Sequence, residues 1–161
     1  MKFKTILLFF LVGVLFSNCK KDEGTTPTVQ IIPGEGITGI EIGGSAQQAI
    51  DLYGNVADSY FASGNQYVHF LIYFSKGVYV YCEPSDSEEF SPTLKVAYLR
   101  VTEPFEGKTD KGIGIGSTKT EVEAAYGQPI SSSMFFGDEF SNGLVIIYND
   151  GGTLVEEIEI N

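Results

Sequence analysis

Residues 39–54 read Gly-Ile-Glu-Ile-Gly-Gly-Ser-Ala-Gln-Gln-Ala-Ile-Asp-Leu-Tyr-Gly. They return 73 positions later, as Gly-Ile-Gly-Ile-Gly-Ser-Thr-Lys-Thr-Glu-Val-Glu-Ala-Ala-Tyr-Gly in 112–127, with six of sixteen positions identical and no gap. A second pair, Phe74-Ser75-Lys76-Gly77-Val78 and Phe140-Ser141-Asn142-Gly143-Leu144, is offset by 66, so the later copy is seven residues shorter between these landmarks. Self-similarity of this kind predicts one supersecondary unit used twice, which restricts the fold more than any single motif in the chain.

Each copy opens with helix-start chemistry. Ser45-x-x-Gln48 and Thr118-x-x-Glu121 have the form of a capping box, in which two side chains satisfy free N–H groups of the first turn. Ala49, Leu52 and Tyr53 share one helical face, as do Val122, Ala125 and Tyr126. Gly54 and Gly127 suit left-handed C-terminal positions, and Pro129 bars continuation of the second helix. Strands follow: a hairpin about Lys76-Gly77 and then residues 94–101 in the first copy, and residues 137–140, 144–149 and 154–160 in the second. The expected class is α+β, as two repeats, each a helix packed on a three-stranded antiparallel β-meander. They occupy residues 35–101 and 112–161, with 102–111 as connector.

The hairpin loop decides which side chains face the helix. A three-residue loop, Ser75-Lys76-Gly77, pairs Phe74 with Val78 and puts Phe70, Ile72, Phe74, Val78, Val80 and Cys82 on one uniformly apolar face. His69, Leu71, Tyr73, Tyr79 and Tyr81 then lie on the opposite face, clear of the helix. Tyr offers a large contact area at low conformational cost, so these five residues form the candidate binding ridge. On this register His69 is a half-exposed strand residue, Cys82 a small buried one, and the two point to opposite sides of the sheet.

The first 18 residues read as an export signal. Lys2 and Lys4 precede an apolar run over residues 6–16, too short to span a bilayer at the ~20 residues a transmembrane helix requires. The run ends at Leu15-Phe16-Ser17-Asn18-Cys19, which resembles the lipobox of bacterial lipoproteins. That resemblance implies cleavage before Cys19 and attachment of lipid (acyl chains such as palmitate) to it. Residues 19–34 are then a flexible tether, and Lys21-Asp22-Glu23 resembles a Lys-acidic-acidic signal for the outer face of Gram-negative envelopes. Without Lys2 and Lys4 the chain keeps 8 basic and 21 acidic residues, a charge of −13. Lipid rather than the acidic protein surface must then hold it at an anionic membrane.

The pattern Ile-Gly-Ser-x-x-x-x-Val-x-x-x-Tyr-Gly-x-Pro in residues 115–129, followed by strands, resembles the SmpA/OmlA type of small outer-membrane lipoprotein. The tandem copy is also similar to the β-lactamase inhibitory protein. That likeness implies two such repeats and protein binding on an open sheet face.

Composition narrows the chemistry. With 10 Lys+Arg against 21 Asp+Glu, the chain does not suit nucleic acid. One His and two Cys leave little for a metal site, a Ser-His-Asp triad or a disulfide framework. Gly112-x-Gly114-x-Gly116-Ser117 lacks the Lys of a phosphate loop and reads as a tight turn. The acidic stretch over residues 83–89 lacks EF-hand spacing and reads as a solvated connector. No catalytic residue, metal or cofactor is therefore assigned. The expected protein is a non-enzymatic, lipid-anchored envelope lipoprotein of the outer membrane that binds a protein partner. Capture of a surface glycan or small ligand is the alternative, since aromatic faces also stack on sugars.

Overall fold

The computed structural model of the chain describes residues 29–133 and 137–161. The expected signal segment 1–18 and the expected lipidation site Cys19 lie outside the described residues. From residue 29 the chain is already in the fold, so the end of the expected tether is ordered. Strand β1 (Ile31–Ile32) pairs with β2 (Gly36–Ile37), which pairs with β3 (Ile40–Glu41), and Ile31, Ile37 and Ile40 are all buried. The Ile31 amide also donates to the Lys108 carbonyl at 3.0 Å, fastening this small sheet to the segment expected as a connector.

Helix α1 (Gln47–Tyr53) follows, then β4 (Asp58–Ser63), β5 (Gln66–Tyr73), β6 (Val78–Cys82) and β7 (Val96–Thr102). Helix α2 (Lys119–Tyr126) leads into β8 (Ser131–Ser133), β9 (Gly137–Glu139), β10 (Leu144–Tyr148) and β11 (Val155–Ile160). These eight strands form one antiparallel sheet in the order β4-β5-β6-β7-β11-β10-β9-β8. The expected α+β pair of helix-plus-three-stranded-meander repeats is thereby corrected. The protein is mostly β, 44% strand and 14% helix, with one eight-stranded and one three-stranded sheet. The physical reason is the seam at β7 and β11. Leu99↔Ile160, Arg100↔Glu159, Val101↔Ile158 and Thr102↔Glu157 pair directly, so two strand edges that separate units would each leave open are consumed by one another.

One face of the large sheet is packed. Leu71, Val78, Val80, Leu99, Val101, Leu144, Ile146, Ile158 and Ile160 are fully buried, in one cluster with Ala49 of α1, Val122 of α2 and the isoleucines of the small sheet. At α2 the sequence reading holds to the atom. Glu121 N donates to Thr118 Oγ1 at 3.2 Å and Thr118 N donates to Glu121 Oε2 at 2.7 Å. The backbone hydrogen bond from Thr118, then the one from its hydroxyl, holds the Glu121 carboxyl below its ordinary range. At α1 the expected box is absent. Ala46 is the N-cap, and Gln48 instead accepts from the Glu41 amide at 3.1 Å. Ala49 is buried, but Leu52 is 42% exposed, so the predicted α1 face is rotated.

The hairpin is the consequential correction. Tyr73, not Phe74, pairs with Val78, and the loop is a 3-10 turn over Phe74–Lys76 closed by Gly77 at φ 63°, ψ 34°. One residue of difference inverts the assignment of β5. A Cβ on Gly77 would come within 2.1 Å of the Thr102 carbonyl oxygen, whereas one on Gly43 (φ +75°) would meet nothing within 4 Å. Gly43→Ala should therefore lose only the ~1–2 kcal/mol of a left-handed residue. Gly77→Ala, which adds a backbone clash, should lose more than about 3 kcal/mol in urea denaturation.

Candidate functional site

The corrected register divides the predicted ridge. His69 (0% exposed), Leu71 (0%) and Tyr73 (6%) face the core, while Tyr79 and Tyr81 lie half-buried on the other side of the sheet. His69 is tolerated there because each ring nitrogen has an acceptor. Nδ1 lies 3.2 Å from Asp58 Oδ2 and Nε2 lies 2.9 Å from the Ser87 carbonyl oxygen. Tyr73 donates its hydroxyl to the Gly54 carbonyl at 3.1 Å and tilts against Tyr53. His69 and Cys82 are therefore on the same side of the sheet, against expectation. Burial, with Asp58 nearby, pushes the Cys82 thiol up to about 11, so it is protonated near neutrality and is no nucleophile.

Side chains directly opposite on neighbouring strands share a face, so the pairing defines what surrounds Tyr79 and Tyr81. Phe70 stands opposite Tyr81, and Tyr81 opposite Tyr98. The Phe70 and Tyr81 centroids are 5.6 Å apart at 24°, and those of Tyr81 and Tyr98 are 4.2 Å apart at 10°. Tyr81 is thus held between two rings, one from each neighbouring strand. Phe61, 51% exposed on β4, extends the row at 6.4 Å from Phe70. A register shift between Tyr81 and Cys82 makes the row possible. Cys82 pairs with Val96, Tyr81 pairs with Tyr98, and the intervening Ala97 is the extra residue that lets both Val96 and Leu99 reach the core.

Beyond Tyr98 the face changes character. Arg100 lies 5.7 Å from the Tyr81 ring centre and donates from Nε (3.0 Å) and Nη2 (2.6 Å) to Glu159 Oε1 across the seam. Its Nε is also 3.3 Å from Glu157 Oε2. Desolvation opposes the charge on Arg100, but the Glu159 hydrogen bond, reinforced by Tyr81 and both carboxylates, holds the guanidinium more firmly protonated than usual. Next to it, Ser131, Glu139, Val145, Ile147 and Glu159 help line an open depression of about 410 Å³. The face therefore runs from an aromatic block on β4–β7, through one arginine, to an acidic and aliphatic block on β9–β11. No group of three His, Cys, Asp or Glu able to hold a metal is found among the described residues.

Phe61, Tyr98, Arg100 and Glu159 were not singled out from the sequence, and Phe70 was assigned to the packed face, where the register does not put it. The available signal was the alternation Tyr98-x-Arg100 beside Tyr79-x-Tyr81, which suggests facing strands once a register is fixed. In comparisons with protein-family models, curated proteins and solved structures, nothing matched this chain.

Burial is the largest cause that raises Tyr98 from 10.0 to about 12, followed by Tyr81 and Glu159, while Arg100 pulls the other way. Above pH 10 the unfolded chain releases this proton while the folded chain keeps it. Stability should therefore fall as pH rises from about 10 to 12. Tyr53, Tyr73 and Tyr126 are raised as well, chiefly by burial, so the loss is shared. Denaturation across this range, with tyrosinate absorbance as a second signal, should show a shallower decline for Tyr98→Phe than for the unaltered protein.

Proposed function

We propose that this chain is a lipid-anchored cell-envelope lipoprotein whose folded domain binds a partner polypeptide on the open face of the eight-stranded sheet. The observation that carries the reading is the sandwiched Tyr81, flanked by Phe70 and Tyr98. A sugar ring needs a free aromatic face to stack on, and both faces of Tyr81 are occupied by its neighbours. The row offers ring edges, hydroxyls and the adjacent guanidinium, the mixture that anchors protein interfaces. A glycan is thus the weaker of the two binding readings.

The anchor follows from Cys19 and the apolar run before it. Ile31, which is buried, lies twelve positions after Cys19, so covalent geometry lets the domain stand no more than roughly 40 Å from the lipid. At a charge of −13 without the signal's lysines, the domain is repelled by anionic headgroups, which favours presentation away from the membrane. An outer-membrane destination rests on Lys21-Asp22-Glu23.

A photo-reactive amino acid at Tyr79 should yield protease-sensitive adducts in intact cells. Tyr81→Ala should lower that yield by roughly thirtyfold, the loss expected at an interface hot spot of ~2 kcal/mol, while Tyr81→Phe retains most of it. Tyr81-dependent binding on a glycan array, with no polypeptide adduct, would instead support the sugar reading. Separately, Cys19→Ser should abolish incorporation of labelled palmitate and release the protein from the membrane fraction.

A further inference from the structure

The large sheet ends on two unlike edges. β8 is three serines long, whereas β4 runs six residues, Asp58–Ser63, and pairs only with β5 among the described strands. An edge strand presents a row of unpaired N–H and C=O groups, and natural sheets blunt such edges with Lys, Pro, bulges or short length. β4 has no Lys, Pro or bulge, and its one charge, Asp58 at its first residue, turns inward to His69. It pairs with β5 without a register shift from Asp58↔Leu71 to Ser63↔Gln66. Residues 59–63, Ser-Tyr-Phe-Ala-Ser, carry no charge in a chain of net −11. Tyr60 and Phe61 are 43% and 51% exposed. The loop over residues 83–89 is held on the packed side of β4 and β5 rather than along the outer edge: Tyr60 donates to Glu88, His69 Nε2 lies 2.9 Å from the Ser87 carbonyl oxygen, and Tyr67 and Ser85 exchange backbone hydrogen bonds.

We propose that β4 pairs antiparallel with β4 of a second copy of this chain, with Phe61 on the two-fold axis. Backbone groups along an open edge call for an extended strand, and β4 is complementary to itself. In this register Phe61 faces its own copy, Ser59 faces Ser63 of the second copy, and Tyr60 faces Ala62. Asp58 faces Gly64, so no like charges are opposed. Same-parity pairing keeps the two packed faces on one side and the two open faces on the other. The aromatic rows of the two copies then meet at Phe61 in a single continuous surface. A contact this small falls below the ~1,200 Å² of stable interfaces, so the pairing is reversible. Both copies are acidic, so salt strengthens it by screening their repulsion.

Thiol cross-linking of the full-length chain in bacterial envelopes tests the register. Ser59 and Ser63 of one strand are four residues apart, about 13 Å, but 59 of one copy faces 63 of the other. With a short bifunctional thiol reagent, Ser59→Cys/Ser63→Cys should give covalent dimer about tenfold above either single variant, a difference of one power of ten in proximity. The yield should rise with salt. Adding Phe61→Lys, an exposed change on the edge, should return it to the single-variant level with an unchanged melting temperature. Equal cross-linking in single and double variants, or a yield indifferent to Phe61→Lys, would overturn the proposal. Repeating the comparison in a Cys19→Ser background keeps the readout separate from lipidation, because no thiol then remains at position 19.

Discussion

The make-up of both faces of β5 and β6 follows from one parity, set by the pairing of Tyr73 with Val78 across the turn at Phe74–Lys76. Side chains alternate along a strand, so the first pair after a turn assigns the residues that follow to a face until a bulge, here at Ala97, resets the count. That pair puts His69, Leu71 and Tyr73 on the packed side with Val78, Val80 and Cys82, and leaves Phe70, Ile72, Tyr79 and Tyr81 outside. Gly77 locks the choice, since its φ of 63° and the Thr102 carbonyl against its Cα leave no room for a side chain.

The second determinant is the seam between β7 and β11. It joins the strands that follow α1 to those that follow α2, and it carries different contacts on its two faces. On the packed face Leu99, Val101, Ile158 and Ile160 are all buried. On the open face Arg100 bridges Glu157 and Glu159. These pairs are about a third exposed or less, and ion pairs of that kind contribute modestly. Apolar burial beneath the seam supplies the cohesion. The arginine above it supplies orientation, fixing a charged, planar group at the boundary between the aromatic and acidic blocks.

Sequence conveyed the pieces whose chemistry is local. The Thr118–Glu121 box, the helix it starts, and strands β5, β6, β7, β9, β10 and β11 all rest on short-range patterning and were legible. β1–β3 were missed because two-residue strands carry no period, and β8 because Ser131–Ser133 has no apolar face. β4 was missed because Ser-Tyr-Phe-Ala-Ser at an edge is almost uniformly exposed and shows no alternation. The face of the hairpin was misjudged for a different reason. Phe70, Ile72 and Phe74 look more like core than His69, Leu71 and Tyr73 do. The deciding interactions are long-range: Asp58 Oδ2 and the Ser87 carbonyl oxygen lie within hydrogen-bond reach of the two nitrogens of the buried imidazole, and Gly54 accepts from Tyr73. With those partners the polar set can be buried, and Phe74 is left 71% exposed at the turn. The separate two-unit architecture failed at the same level, since nothing local in β7 or β11 announces that each is the other's neighbour.

The most direct measurement of the account is NMR side-chain relaxation with a soluble paramagnetic agent. Signals of Phe70, Tyr81 and Tyr98 should be strongly attenuated, while those of Leu71, Val80, Leu99 and His69 should persist. Protection of Phe70 together with attenuation of Leu71 and His69 would invert the sheet and contradict the account.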